Sequence, residues 1–281
     1  AAQRADMLNR LRQARQRLTR QLAALAADET PPGEPEQLRR DAEWLLALGS
    51  QLVPDEAALV VDLGEETLTI PRTPGKSAVE QAEQMFKRAA KLERAAAFIP
   101  RRRVQLQADL AFLDQLEVDA NTAENQPEIA AVGSELEKLR LTRSTRKSRA
   151  GGQPTGGPRR FESAGGYEIL VGRNARQNDQ VSFRHGRAED LWLHARGAPG
   201  SHVVIRRRGS DPDEATIRAA AQLAAFYSSL RGERNAPVAL TRCRFVNRAA
   251  GGRPGQVTIR NEETVIVSAE MPDDVTVLTD K

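Results

Sequence analysis

The chain has 281 residues, of which 40% are apolar, 4% aromatic and 28% charged. That length is enough for about two domains. So few apolar residues indicate an elongated helical part joined to a compact part, rather than one globular core. The single cysteine, Cys243, excludes a disulfide framework and a cysteine-rich zinc site and favours a reducing compartment. No apolar run approaches the ~20 residues of a membrane span, and no signal peptide is visible, so we expect a cytoplasmic protein.

Charge is divided unevenly along the chain. Residues 1–137 carry 17 Lys and Arg against 23 Asp and Glu, whereas residues 138–281 carry 25 against 15. An acidic half joined to a basic half indicates a polyanionic partner for the second half. A distribution that serves only solubility is the alternative, and charge alone does not separate the two.

The first half of the chain has the pattern of helices interrupted by a small hairpin. Residues 4–28 place apolar side chains at helical spacing, until the proline-rich segment 30–35 interrupts the helix because proline lacks an amide donor. A second helix is predicted over Glu36–Leu48. The alternating segments 58–63 and 67–70 predict a β-hairpin.

Helix resumes at about Ser77, which is placed to cap it together with Glu80. From there apolar residues recur at a strict interval of seven, at Met85, Leu92, Ile99, Leu106, Leu113 and Ala120. This interval predicts a coiled coil, either antiparallel with the first helix of the same chain or between two chains. Pro100 is expected to kink or break the helix. A third helix over about Glu128–Thr142 is expected to return along the stalk.

A basic linker is predicted between the two halves. Residues 138–160 contain eight Lys and Arg and no acid, and residues 144–158 are rich in Gly and Pro. Such a segment cannot bury enough apolar surface to order itself, so we expect it to be flexible. Contact with nucleic-acid phosphates and a plain spacer role are both open for it.

The remaining residues, 159–281, have a strand-rich pattern with one helix that opens at Asp211. Strands are predicted at residues 167–171, 180–183, 191–195, 201–206, 240–246, 256–260 and 264–267. The predicted fold class is therefore α+β: a long antiparallel coiled-coil stalk with a small hairpin over residues 1–143, the linker, and a compact α+β domain.

No catalytic set is apparent in the sequence. His194 and His202 lie on neighbouring predicted strands, but no cysteine accompanies them as a metal ligand, and Glu189 and Asp190 are interpreted as turn residues. Ser201 and His202 cannot form a nucleophile–base pair, because neighbours on a strand face opposite sides. Nucleophile-elbow, HExxH and Walker motifs are absent. We therefore predict a protein that is not an enzyme and holds no cofactor and no metal.

The loop Gly172–Asp179 is a candidate for polyanion binding. Arg173 and Arg176 present planar guanidinium groups that match phosphate oxygens, and Asn174 can reach sugars and bases. The alternative is an asparagine-rich turn that bonds its own backbone. We expect both to hold, with Asn178 and Asp179 structural and the two arginines facing outward.

A second candidate surface follows the predicted strand 191–195. Trp192 and His194 share one face of it, which is a stacking surface for single-stranded RNA beside Arg196 if exposed, and core if buried. We expect Trp192 in the core and His194 at an accessible polar edge. The complete set of predicted RNA-binding residues is Arg173, Asn174, Arg176, Asn178, His194, Arg196, Ser201, His202, Arg206, Arg207 and Arg208.

Several segments of the second half together carry a family resemblance. They are Arg160-Phe-Glu-Ser163, Tyr167-Glu-Ile-Leu-Val-Gly-Arg-Asn174, Gln177-Asn-Asp179, Asp190-Leu-Trp-Leu-His-Ala-Arg196 and Pro199-Gly-Ser-His-Val-Val-Ile205. Together they resemble NFACT-R, the domain that closes the proteins of the NFACT family. The resemblance runs from about Arg159 to near the C-terminus.

The first half resembles the middle coiled coil of the same family, with echoes at Thr67–Pro71 and Gln84–Arg88. Two features depart from the family pattern. Gly165-Gly166 stands where an Asp-Gly pair is common, and Pro100 lies in a helix usually free of proline.

The resemblance implies a role in ribosome-associated quality control. Family members bind a large ribosomal subunit obstructed by peptidyl-tRNA and recruit tRNA for untemplated C-terminal tailing of the stalled chain, with alanine in bacteria. The implied partners are the large subunit, rRNA and tRNA, and the ribosome itself makes the peptide bonds. Bacterial members have long been called fibronectin-binding proteins, so a surface adhesin is the alternative function.

The family's N-terminal domain and helix-hairpin-helix, which hold much of the tRNA recognition, have no counterpart in this sequence. The chain also starts at Ala1 in the middle of a helical pattern. We interpret it as a piece of a longer protein, expected to bind ribosome and RNA but not to sustain tailing alone.

Overall fold

The computed structural model describes residues 2–27, 31–49, 57–64, 66–139 and 156–278. The chain divides into two compact units. The small unit comprises Arg20–Leu106, and the large unit comprises Ala1–Thr19 together with Gln107–Lys281. Most of the predicted linker, residues 144–158, lies outside the described residues.

The small unit is built around the predicted hairpin, which the structure confirms. Strand β1 (Ala58–Asp62) pairs antiparallel with β2 (Thr67–Pro71). Their inward side chains pack against helix α2 (Glu34–Leu48) and the start of the long helix in a core formed by Ala42, Leu45, Leu59, Val61, Ile70 and Ala82. The alternating pattern of the sequence therefore marks which side of the hairpin is buried.

The long helix α3 (Ala78–Thr122) begins at the predicted cap. The Ser77 amide donates to Glu80 Oε2 at 2.9 Å, and the Glu80 amide donates to Ser77 Oγ at 3.2 Å, which forms a reciprocal capping box. The helix continues through Pro100, so of the predicted kink or break the break does not occur. Both Pro100 and Ala96 are exposed, so water can satisfy the Ala96 carbonyl that loses its amide partner.

In the large unit, helix α1 (Ala2–Ala27) packs antiparallel against the last turns of α3. Arg4, near the start of α1, donates to the carbonyl of Ala123, just after the end of α3. Arg15, farther along α1, lies 2.5 Å from Asp114, which comes earlier in α3, so the two helices run in opposite directions. The prediction of an antiparallel helix pair within one chain is confirmed. The heptad residues in this part, Leu113 and Ala120, are buried.

The predicted third helix is α4 (Gln126–Lys138). It begins at Asn125, whose Oδ1 accepts a hydrogen bond from the Glu128 amide at 3.0 Å. Gly133 allows α1 to approach closely, because a Cβ at that position would lie 2.9 Å from Cε of Met7. Three helical segments therefore meet in the large unit.

The rest of the large unit contains an antiparallel sheet of seven strands. The strands of the domain are β3 (Arg159–Ser163), β4 (Glu168–Val171), β5 (Leu191–Ala195), β6 (Val203–Ile205), β7 (Ala236–Arg242), β8 (Val246–Arg248), β9 (Val257–Ile259), β10 (Glu263–Val267) and β11 (Val275–Leu278). The sheet order is β10-β7-β5-β6-β4-β3-β11, and β8 and β9 form a separate hairpin. The predicted α+β class is confirmed.

Both faces of this sheet are covered, and each carries its own core. One face packs against helix α6 (Glu214–Phe226) through residues such as Leu193 and Ile205. The other face, with Trp192 and Val204, packs under the β8–β9 hairpin. Because both faces are buried, β5 and β6 have continuous apolar stretches.

Three expectations for this domain need correction. Residues 180–183 are not a strand: helix α5 (Ala175–Gln180) continues into a π-helical turn, Val181–His185. The strand predicted at 240–246 lies at Ala236–Arg242. The sequence also does not predict the strands β3 and β11, because both are short and β3 has only one apolar residue, Phe161.

The described helices are amphipathic rather than uniformly apolar. Within the described ranges, no helix combines the length and the hydropathy that a bilayer crossing requires.

Candidate RNA-binding surface

The segment Gly172–Asp179 is held in place by its own asparagines. Asn174 caps α5, since its Oδ1 accepts a hydrogen bond from the Gln177 amide at 3.0 Å. Asn178 is 1% exposed, and its amide group donates to the Gly200 carbonyl at 3.0 Å. A side chain at Gly172 does not fit, because its Cβ would lie 2.1 Å from Asn178 Oδ1. The structural role predicted for Asn178 is confirmed, and Asn174 shares it.

The two arginines of this segment contact helix α4 and its N-terminal turn. Arg173 Nη1 donates to Glu124 Oε2 at 3.0 Å and to Glu128 Oε1 at 2.8 Å. Arg176 Nε lies 2.5 Å from Glu135 Oε1. The expectation that both face outward is wrong for Arg173, whose guanidinium neutralises the buried carboxylate of Glu128. Arg176 is half-exposed but is also ion-paired.

Two more arginines extend these contacts. Arg159 is buried and its Nε donates to Glu124 at 2.8 Å, while Arg253 donates to Asp109 at 2.6 Å. In each pair a guanidinium of the α+β domain meets a carboxylate of the helices. We call the four arginines and their acids the docking network: Arg159, Arg173, Arg176 and Arg253 with Asp109, Glu124, Glu128 and Glu135.

Asp119 of α3 is buried beside this network. Its Oδ2 accepts a hydrogen bond from the Ala175 backbone amide at 3.1 Å, and its Oδ1 accepts one from the side-chain Nε2 of Gln115 at 2.8 Å. Burial raises its pKa from 3.8 to about 7, against the opposing effect of these hydrogen bonds. Because the pKa is raised on folding, the stability that this group contributes is lost as pH rises from 3.8 through about 7.

An aromatic cluster lies on the sheet face opposite α6. The Trp192 and His194 rings stack with centroids 5.7 Å apart, and His202 meets both rings edge-on. Trp192 is 1% exposed, which confirms the expectation that it is core, whereas His194 is partly exposed. Burial lowers the pKa of His194 to about 4 and that of His202 well below its ordinary value. Both imidazoles are therefore neutral at pH 7.

The His194 ring is expected to stay neutral in the folded protein until the pH falls to about 4. Because the pKa of His194 in the folded protein lies below the ordinary 6.5, the unfolded chain takes up the proton first as pH falls. The free energy of unfolding is therefore unaffected by His194 above pH 6.5 and decreases as pH falls toward 4. This loss amounts to about 3 kcal/mol. Histidine-detected NMR across pH 4–8 checks the titration, and a His194 resonance that titrates near pH 6.5 contradicts it.

Ser201 and His202 are also buried. Ser201 Oγ donates to the Gly172 carbonyl at 2.6 Å, and His202 Nδ1 lies 2.7 Å from Ser182 Oγ. The His202 amide donates to Asn178 Oδ1 at 3.0 Å. These contacts fix the start of β6 and leave both side chains buried inside the domain.

The other end of β6 is organised by Asp190, which is 2% exposed. Its Oδ2 accepts a hydrogen bond from the Arg187 amide at 2.8 Å, and its Oδ1 accepts one from the Arg207 amide at 2.9 Å. The interpretation of Asp190 as a turn residue is confirmed. Because one carboxylate holds both backbone segments, the arginines at 184–187 and 206–208 lie at the same end of the sheet.

Some arginines at this end are held by acids. Arg207 Nε donates to Asp211 at 3.1 Å, and Arg242 Nη2 donates to the same carboxylate at 2.8 Å. Arg206 donates to the His185 carbonyl at 3.1 Å, which joins the π-helical turn to β6. These contacts build a rigid arginine-rich surface.

Three arginines of this surface differ from the rest. Arg184, Arg187 and Arg208 are exposed, and in the described part of the chain they have no ion-pair partner. Exposed guanidinium groups that no acid neutralises attract phosphate. We call this surface the basic end; it comprises Arg184, Arg187, Arg206, Arg207, Arg208, Arg242 and Arg244. The sequence-based set contains only Arg206–Arg208 of it.

Arg196 lies apart from the basic end, at the other end of β5. Its Nη2 donates to Glu262 Oε1 at 2.6 Å, and its Nη1 donates to Thr264 Oγ1 at 2.5 Å. Its guanidinium is therefore occupied, although it remains half-exposed.

His194 and His202 have ring centroids 5.2 Å apart. A third potential ligand does not join them: among the residues that the structure describes, no group of three His, Cys, Asp or Glu side chains is arranged to hold a metal ion. Cys243 is buried, and burial raises its thiol pKa to about 12, so the reactive thiolate is disfavoured.

Two family profiles match the chain, one for each half. The NFACT N-terminal and middle domains match residues 1–153, and the NFACT protein RNA binding domain matches residues 158–261. The second match contains both the docking-network arginines of the sheet domain and the basic end.

Curated relatives agree with these matches. The chain is 34% identical over 229 residues to the Rqc2 homolog RqcH of Bacillus subtilis, covering 80% of this chain and 39% of that protein. It is 29% identical over 265 residues to the Rqc2 homolog RqcH of Streptococcus pneumoniae, covering 93% of this chain and 47% of that protein. The chain thus spans less than half the length of these relatives.

A solved structure shares the fold. It is described as the C-terminal part of the fibronectin/fibrinogen-binding protein from Streptococcus suis, with a TM-score of 0.67, 23% sequence identity and coverage of 96% of this chain and 95% of that one. At this identity the likeness concerns the fold alone. On the family matches, the chain belongs to the NFACT family, with an NFACT-R RNA-binding domain in its second half.

Proposed function

We propose that this chain is the RNA-binding and ribosome-binding part of a ribosome-associated quality control factor. The proposal rests on the basic end, where three exposed arginines that have no ion-pair partner among the described residues lie on a backbone that Asp190 fixes. The name of the matching RNA-binding domain and the RqcH relatives support the same function. Phosphate oxygens of rRNA or tRNA are the groups that such a surface binds.

The finer role that we propose concerns the obstructed large ribosomal subunit. The chain binds this subunit together with its peptidyl-tRNA, and in the longer protein it supports recruitment of tRNA for untemplated alanine tailing. The ribosome makes the peptide bonds, so the factor acts by binding. The neutral, internally bonded histidines and the occupied Ser201 are in keeping with a role without catalysis.

The surface adhesin remains the alternative function. It draws on the name of the structural neighbour, which at 23% identity shares the fold with this chain and carries no argument about ligands. Binding of the chain to immobilised fibronectin, in a manner insensitive to charge reversal at the basic end, is the observation that favours the adhesin.

Co-sedimentation with purified large ribosomal subunits tests the proposal. We expect the chain to co-sediment at ~0.05–0.1 M salt and to be released at ~0.5 M, because neutralising several phosphates makes affinity fall steeply with salt. Small subunits at the same concentration are the control. Absence of any association with large subunits or tRNA at low salt contradicts the proposed function.

A further inference from the structure

A cleft of about 540 Å³ opens between α3 and the sheet face that carries Trp192 and His194. Ala111 and Phe112 of α3 form one wall, and Val257 of β9 lies on the other side. All of these residues belong to the large unit. The volume of the cleft falls in the range of ~300–1,000 Å³ that is usual for small-molecule sites.

The interior of the cleft is aromatic. Trp192 and His194 stack at an interplanar angle of 24°, and His202 packs edge-on against both, with centroids 5.0 and 5.2 Å away. Trp192 and His202 are each 1% exposed, whereas His194 is partly exposed. His194 is therefore the ring of this stack that a ligand reaches.

The lining carries little charge. Desolvation keeps His194 and His202 neutral at pH 7, and no Lys or Arg is among the residues that line the cleft. The one acidic side chain, Asp114, lies 2.5 Å from Arg15, which also pairs with Glu117 at 2.6 Å. An anion therefore gains no attraction from entering, whereas an uncharged flat ring exchanges water for apolar and aromatic contacts.

Polar groups in the lining are few and neutral. The side-chain oxygen Oε1 of Gln115 accepts a hydrogen bond from the Gly200 backbone amide at 3.0 Å. The side-chain Nε2 of Gln256 donates to the Ala108 backbone carbonyl at 3.4 Å. The His194 imidazole is likewise neutral and is hydrogen-bonded to the backbone at Ala195 and Gly200, so what it offers to the cleft is its ring face. Stacking with neutral hydrogen-bonding groups is how proteins hold unpaired bases.

We propose that this cleft binds an unpaired nucleobase, which packs against the His194 ring between α3 and the β8–β9 hairpin. The base has two sources: a free nucleoside, or an unpaired position of an RNA whose helical part lies on the basic end. Only the second source rests on the proposed function. The cleft is separate from the basic end, since none of its lining residues is an arginine.

Histidine-selective ¹³C NMR of the whole chain tests this proposal with three ring signals, from His185, His194 and His202. Adenosine and uridine are the probes, and ribose is the negative control. We expect saturable shifts of His194 and His202 with the nucleosides, while His185, whose carbonyl accepts from Arg206 at the basic end, stays unshifted. No saturable shift of His194 with any probe, nucleoside or RNA, overturns the proposal.

A matched pair of variants locates the binding. Ala111 is an exposed residue of α3 that lines the cleft, and Ala130 is an exposed residue of α4 that does not. Ala111→Phe fills the cleft and is expected to weaken nucleoside binding at least about tenfold, whereas Ala130→Phe leaves it unchanged. Equal behaviour of the two variants contradicts binding in the cleft, and helical circular dichroism verifies that both are folded.

An RNA arm separates this proposal from the proposed function. One RNA is a blunt-ended duplex of two complementary strands, and a second is the same duplex with a short single-stranded overhang. A shift of His194 with the overhang duplex but not with the blunt duplex assigns the base to bound RNA, and a shift with nucleosides alone assigns it to a free ligand. If the blunt duplex shifts His185 and no probe shifts His194, the cleft proposal fails and the RNA function stands. If nucleosides shift His194 and neither RNA binds, the RNA function fails and the cleft stands.

Discussion

Replacing Arg184, Arg187 and Arg208 together with glutamine is expected to weaken binding to tRNA and to large ribosomal subunits by about 10- to 100-fold at ~0.1 M salt. These side chains are exposed and have no ion-pair partner in the described part of the chain, so their loss removes the proposed phosphate contacts and breaks none of the ion pairs described above. For the same reason the free energy of unfolding is expected to change by less than about 0.5 kcal/mol for each substitution. Fluorescence anisotropy with labelled tRNA and urea denaturation measure the two quantities.

The matched control is the triple variant Arg218→Gln, Arg231→Gln and Arg234→Gln. These arginines are also exposed and lie in the same domain, but outside the basic end. The two variants lose the same net charge, so a purely nonspecific attraction lowers RNA affinity equally in both. We expect the control to bind within about threefold of the parent. Equal losses in the two triple variants argue against a localised RNA surface.

Arg173→Ala is expected to act on stability instead of on RNA affinity. The substitution leaves Glu128, whose side chain is 8% exposed, without its 2.8 Å partner. Glu128 keeps hydrogen bonds from the Glu124 amide and from Asn125 and a 3.7 Å contact with Arg159, but it loses a hydrogen-bonded cation, so we expect a loss of about 2 kcal/mol in the free energy of unfolding. Urea denaturation measures it, and RNA affinity measured on the folded fraction stays unchanged.

Two controls frame this result. Arg176→Ala, which removes a half-exposed partner of Glu135, is expected to cost less, about 1 kcal/mol or below. Arg173→Ala combined with Glu128→Gln is expected to recover part of the lost free energy of unfolding, because residue 128 then carries no charge that needs a partner. A variant Arg173→Ala that unfolds like the parent but loses RNA affinity instead places Arg173 at the RNA surface.

The sequence alone predicts much of the fold, because the spacing of apolar residues and the capping residues of helices are visible in short stretches of sequence. The heptad interval locates the long helix, Ser77 and Glu80 mark its start, and the hairpin appears as a change of period. The failures are of two kinds. Pro100 does not break α3, because the affected carbonyl is on an exposed side of the helix. Residues 180–183 have a strand-like pattern but follow a capped helix.

The candidate site could be predicted only in part. Local sequence does not show whether an arginine faces solvent or a carboxylate that lies far away in the chain. Arg173 and Arg187 therefore could not be told apart. The partner acids, Glu124 and Glu128, lie on α4 and its N-terminal turn, and only the tertiary structure brings them to Arg173. The segments that carry the resemblance include Asp190, and that carboxylate holds the backbone of the proposed basic end.

The dependence of RNA affinity on salt concentration tests the basic end most directly. For the parent and for the Arg184→Gln, Arg187→Gln, Arg208→Gln variant, the logarithm of the tRNA association constant is measured against the logarithm of salt concentration. Each lost phosphate contact reduces the slope by roughly one, so we predict a slope shallower by roughly three in the variant. An unchanged slope with unchanged affinity contradicts RNA binding through the basic end.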